Sequence, residues 1–145
     1  MKRILACLDA SPRAPQVLDA ARDLAARTGA KLAIFRSVGL PPEVDKEFLA
    51  ISPNDVIEQL VGRAKADLAR LAAAVPKEVV EEIHVRVGTP WDAICTEAKA
   101  LDVDVILLGS HGYSGLDRIL GTTAAKVVNH ADRSVMVVRA KPGAS

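Results

Sequence analysis

Aromatic side chains are nearly missing from this chain: one Trp, one Tyr and two Phe make up 3% of its 145 residues. With 50% of residues hydrophobic, the core must then be built from Ala, Val, Leu and Ile packed between layers. Cysteine is scarce as well. Cys7 and Cys95 are too few for a structural zinc site on their own, and both sit in apolar runs, which reads as buried free thiols in a reducing compartment. No sign of charge dominates: 19 Lys and Arg against 18 Asp and Glu leave a net +1, far from the balance of a protein that lives on nucleic acid. No run approaches the ~20 apolar residues of a membrane span, and the apolar stretch between Arg3 and Asp9 is too short for a signal peptide. The expectation is a soluble, cytoplasmic protein with neither a nucleic-acid nor a membrane partner.

What is present fits one domain over residues 1–145, long enough to bury about two-thirds of its unfolded surface without disulfides or metal. The 26% of charged residues excludes global disorder. Period then decides the elements. Residues 3–8 form a short apolar run, after which Ser11 as N-cap and Pro12 in the first turn predict a helix. In that helix Ala14, Val17, Leu18, Ala21, Leu24, Ala25 and Thr28 recur at helical spacing, and Gly29 stands where a left-handed C-terminal residue is wanted. Lys31–Val38 reads as a second strand, and residues 39–51, with Pro41 and Pro42, as an excursion loop. Ser52 and Asp55 predict the start of a helix that buries Val56, Ile57, Leu60, Val61, Ala64, Leu68 and Leu71 and stops before Pro76.

Ile83, Val85 and Val87 alternate with His84 and Arg86, so the third strand has one wet face and lies at a sheet edge. Thr89-Pro90-Trp91-Asp92 opens a third helix, residues 103–108 form a strand covered on both faces, and a helix from Thr122 to His130 leads to a last strand, Ser134–Val138. Strands alternating with helices imply right-handed crossovers, hence an α/β fold: a doubly wound, five-stranded parallel sheet sandwiched by four helices.

Ligands of such sheets bind beyond the carboxyl ends of the strands, where the strand order reverses. The informative positions are Asp9 after strand one, Ser37 and Val38 at the end of strand two, Gly88 after strand three, and the run from Gly109 after strand four. That run carries Gly109, Ser110, His111, Gly112, Ser114, Gly115, Gly121, Thr122 and Thr123. Its glycines allow close backbone approach, and the helix starting near Thr122 offers amides and a positive dipole end, so an anion such as phosphate is the expected guest. It is not a P-loop, because no Gly-Lys-Ser/Thr follows, and it is not GxGxxG after the first strand. Each residue has a second reading. Asp9 also suits a capping turn with Ser11, and Thr122 and Thr123 suit simple N-capping. His111 lacks an identified catalytic partner. His84 and His130 lie too far apart in sequence for a metal pair, Trp91 reads as packing, and Arg118 as a surface residue.

Over nearly its whole length the sequence resembles the universal stress protein family. The resemblance is carried by the first strand ending in Asp9-Ala10-Ser11, by Gly88-Thr89-Pro90, by Asp104-Val105-Ile106-Leu107-Leu108-Gly109-Ser110-His111-Gly112, and by Ser134-Val135-Met136-Val137-Val138. The nucleotide-binding branch of that family carries G-x2-G-x9-G-[S/T], which Gly109, Gly112 and Gly121-Thr122 match with eight residues in place of nine. The resemblance implies ATP or AMP as cofactor, with or without Mg2+, Asp9 near the ribose, Ser37 and Val38 at the adenine, and Thr122 and Thr123 at the phosphates. It also implies a homodimer through the C-terminal strand and a role as stress-response sensor or regulator. A slow ATP hydrolase or phosphotransferase and a nucleotide-free dimerisation module are the alternatives.

Overall fold

The computed structural model describes residues 1–39, 53–110 and 120–139. Five strands, β1 (Arg3–Cys7), β2 (Lys31–Val38), β3 (Val80–Val87), β4 (Val105–Gly109) and β5 (Ser134–Val138), form one sheet in the order β3-β2-β1-β4-β5. Every pairing is parallel, so each connection must cross over the sheet. Four helices are described, α1 (Ala14–Thr28), α2 (Pro53–Ala72), α3 (Pro90–Ala100) and α4 (Thr122–His130).

Period-two alternation divides the core between the two faces. Ile4, Ala6, Leu8, Leu32, Ile34, Val105 and Leu107 pack with Val17, Leu18 and Ala21 of α1 and Leu68 of α2. Leu5, Cys7, Ala33, Phe35, Ile106 and Leu108 pack with Ile94 and Ala98 of α3 and Val127 of α4. The central strands β1 and β4 are therefore covered twice, which is why their sequences are almost unbroken apolar runs. Each fully buried Leu, Ile or Val contributes roughly 1.5–3 kcal/mol, so the doubly wound architecture rests on these aliphatic residues with very little aromatic help.

Local chemistry explains where the elements begin. Ser11 does not cap α1, and Pro12 is not in its first turn: the helix starts at Ala14 with Arg13 at the N-cap and Pro15 in the first turn. The Ser11 amide donates to Asp9 Oδ1 at 3.0 Å and the Arg13 amide to Ser11 Oγ at 3.2 Å. These consecutive side-chain turns hold the backbone out of the helix until residue 14. At the other end Gly29 takes φ +76° and donates its amide to Ala25 at 2.8 Å, the left-handed closure expected from the sequence.

Three expectations about packing change. Of the α2 residues expected in the core, Ala64 and Leu68 are buried, while Val56, Ile57, Leu60, Val61 and Leu71 are half-buried, because β2 and the edge strand β3 give this helix a narrow seat. The helix ends at Ala72, and Ser52 and residues 40–52 of the excursion loop lie outside the described residues. β3 is an edge strand as expected, but its polar side is not simply wet: Glu97 of α3, only 3% exposed, accepts from Arg86 and lies 3.7 Å from His84 Nδ1. Cys7 is buried as read, whereas Cys95 is half-buried.

Candidate functional site

The sheet order places the reversal between β1 and β4. From β1 the chain crosses by α1 to β2 on one side, and from β4 it crosses by α4 to β5 on the other. The diverging connections leave a crevice above the carboxyl ends of these two strands. A cavity of about 440 Å3 opens there, within the ~300–1,000 Å3 of small-molecule sites.

Its floor is apolar: Cys7 and Leu8 of the β1 end, Phe35 of β2, Leu108 of β4, Ile94 of α3 and Ala124 of α4. Burial pushes the Cys7 thiol far above its ordinary range, so this sulfur packs as an apolar group. Polar residues border the cavity from three directions. Asp9 and Ser11 come from the β1–α1 turn, Arg36 and Ser37 from the end of β2, and Thr122 and Thr123 from the start of α4.

Of the residues picked out from sequence, Asp9, Ser37, Gly109, Thr122 and Thr123 line this one cavity. Val38, Gly88 and Gly121 are not among its lining residues. The Gly88 amide donates to the Val38 carbonyl at 3.0 Å, which closes the β2–β3 edge beside the cavity, and its φ of +156° is one that side chains other than glycine rarely adopt. Gly121 is the N-cap of α4 with φ −61° and ψ 162°, values open to any residue, so it has no need of a glycine's freedom. Its amide donates to the Ser110 carbonyl at 3.0 Å. That engagement leaves the amides of Thr122 and Thr123, in the unpaired first turn of α4, to meet an anion. His111 and Gly112, with Arg118, lie outside the described residues.

The capping reading of Asp9 gives way to a turn that precedes the helix, in which its Oδ1 accepts from the Ser11 amide, and Asp9 borders the cavity. Trp91 packs as expected, 4.6 Å from the His130 ring with Lys126 Nζ 5.9 Å from its own ring centroid, joining α3 to α4. Arg36 is the cavity residue that the sequence reading passed over. It is a guanidinium in the apolar strand Lys31–Val38, on the same face as Leu32 and Ile34, and a buried cation there is its own signal. Among the described residues no three His, Cys, Asp or Glu side chains are grouped to hold a metal ion, and no helix is long and apolar enough to cross a membrane.

Comparison with known proteins agrees with this architecture. A universal stress protein family model matches residues 1–139. The universal stress protein A homolog 1 of Coxiella burnetii is 32% identical over 138 residues, covering 94% of this chain and 95% of that protein. Universal stress protein UspA from Lactobacillus plantarum superposes with a TM-score of 0.76 at 24% identity, over 95% of this chain and 97% of its own. A universal stress protein solved in complex with cAMP gives a TM-score of 0.64 at 25% identity, over 95% and 96%.

Proposed function

The chain belongs to the universal stress protein family, and from that membership we propose that it is a cytoplasmic stress-response sensor or regulator, acting as a homodimer and binding AMP or ATP at the sheet's switch point. The observation that carries the reading is the convergence of Asp9, Ser37, Thr122 and Thr123 on one apolar-floored cavity. A carboxylate accepts from ribose hydroxyls, the slot beside Ser37 and Phe35 suits a flat base, and the α4 N-terminus offers amides and hydroxyls to phosphate. The relative that was solved with cAMP supports an adenine nucleotide as the guest. Gly109 borders the same cavity; with His111 and Gly112 it would complete the phosphate loop, while Val38 and Gly88 hold its β2–β3 margin. A Mg2+ arriving with ATP would ride on the phosphates, since the described residues group no metal ligands of their own.

The role requires occupancy, not turnover, because a sensor reads which nucleotide is bound. The dimer would form through β5, an edge strand without a charged residue inside it. Calorimetric titration with adenosine, AMP and ATP tests the binding. Affinity that rises from adenosine to the phosphorylated ligands is expected, and equal affinities would mean the loop does not read phosphate. Absence of binding to all three would leave the nucleotide-free dimerisation module.

A further inference from the structure

The β1–β2 ladder ends at the pair Cys7 and Phe35, after which the Leu8 amide still donates to the Phe35 carbonyl at 2.9 Å. Beyond that point the carbonyls of Leu8 and Asp9 have left the sheet while the chain turns toward α1. Arg36 takes both. Its Nε donates to the Leu8 carbonyl at 2.7 Å and its Nη2 to the Asp9 carbonyl at 2.9 Å. The same Nη2 lies 2.8 Å from Oδ2 of Asp67 on α2, which neutralises the charge. Asp67 in turn is held well below the usual carboxylate range by Arg70 and Arg36.

An arginine only 9% exposed in an apolar strand is costly to bury unless each donor direction is answered. A Leu or Val would fill the same face of β2 without that cost, as Leu32 and Ile34 do. The fork is needed because the acceptors lie in different directions, and a lysine ammonium cannot reproduce the planar pair of bonds. Arg36 also lines the cavity beside Asp9. The Asp9 backbone carbonyl is thus held by Arg36 and its Oδ1 by the Ser11 amide.

We infer that Arg36 is a positioning residue for ribose recognition: by holding the Leu8 and Asp9 carbonyls it aims the Asp9 carboxylate at the sugar hydroxyls of the bound nucleoside. The inference rests on the adenine-nucleotide reading above and adds to it the residue that sets sugar specificity. It separates shape from affinity. Loss of the brace removes the hold on the Asp9 carbonyl while the Ser11 amide stays on Oδ1, so the sugar contact weakens more than the base contact.

The test is calorimetric titration of the full chain with adenosine and with 2′,3′-dideoxyadenosine, in the parent, Arg36→Met, Arg36→Lys and Asp9→Asn proteins, each checked for its fold by circular dichroism. The parent should prefer adenosine by at least about tenfold, the usual value of a hydrogen bond to a charged group. Arg36→Met should bring that ratio to within about threefold of unity, with adenosine affinity falling several-fold further than dideoxyadenosine affinity. Arg36→Lys should restore it only in part, and Asp9→Asn combined with Arg36→Met should remove nothing more. Should Arg36→Met not fold, Arg36→Lys keeps the charge beside Asp67 and carries the test, with a lowered ratio expected. A parent-like ratio in the folded Arg36 variants, or an equal loss of both nucleosides, would overturn the positioning role alone. A parent that binds neither nucleoside would overturn the adenine-nucleotide reading together with it.

Discussion

The Gly121 amide donates to the Ser110 carbonyl at 3.0 Å and joins the two ends of the glycine-rich run after β4. Ser110 is itself buried and its amide donates to the Val138 carbonyl at 3.1 Å, so the start of α4 is tied to the carboxyl end of β5. The pair fixes where the first amides of α4 point, whatever the length of the run between them.

Gly121→Pro removes only the donor of this clasp, because φ −61° is already that of a proline. It should cost about 1 kcal/mol, the usual net value of one hydrogen bond, and lower Tm by roughly 3 °C. Gly121→Ala keeps the amide and should melt no lower than the parent. Identical melting of the two variants in calorimetry would show that the clasp contributes nothing.

With the Gly121 amide engaged, Thr122 and Thr123 carry the first unpaired amides of α4 and are the proposed phosphate donors. Thr122→Val deletes one hydroxyl at an exposed first-turn position. AMP binding should weaken by about 1 kcal/mol, or up to ~3 if the lost partner is a charged phosphate oxygen, with adenosine binding unchanged. Equal titration curves for parent and variant with AMP would place the phosphate elsewhere.

Much of this was legible in the residues. β2, α4 and β5 run where periodicity put them, because each is bounded by a local signal, and the apolar run over residues 103–108 announced a doubly covered strand, which the structure starts two residues later at Val105. Asp9, Ser37 and the Thr122-Thr123 pair were readable because parallel sheets bind at strand ends. Arg36 was not, since its worth depends on carbonyls 28 and 27 residues away, brought to it by the pairing of β1 with β2, and on Asp67, brought by the packing of α2 on the sheet. The Glu97 carboxylate, hidden in an ordinary helical stripe, escaped for the same reason: its partners Arg86 and His84 belong to another element. The α1 start was misread because Asp9 and Ser11 hydrogen-bond in turns before any helix can begin.

At the opposite end of the sheet, Asp104 Oδ2 accepts from the amides of Lys2 and Arg3 at 2.6 and 2.9 Å. These bonds hold its carboxyl below the usual carboxylate range. A group depressed on folding contributes stability above its unfolded value of about 3.9 and loses it as pH falls through the folded one. Asp104→Asn should therefore melt below the parent at pH 7, with the gap closing as pH drops below about 4. A gap that stays constant down to pH 2 in a melting series would show that the carboxylate charge is not what stabilises this corner.

The last prediction concerns the open edge of β5. Met136 is the middle residue of Ser134–Val138 and stays 43% exposed, while Val135 and Val137 on the opposite face pack against the core. Natural edges are usually blunted by charge, proline or cover, and among the described residues this strand has none of these within its span. An antiparallel pairing with a second copy about a two-fold axis would bring each Met136 near its own mate, since the strand's centre lies on that axis. Fully burying a methionine is worth roughly 1.5–3 kcal/mol, and with less than half of Met136 still exposed the two copies supply about 1–3 kcal/mol, or one to two decades in the dimer Kd. Met136→Lys removes that burial and sets two like charges face to face, while its exposure in the single chain leaves the fold intact. Light scattering at micromolar concentration should then report a dimer for the parent and a monomer for the variant. A monomeric parent, or a variant that dimerises as tightly as the parent, would move the interface away from β5.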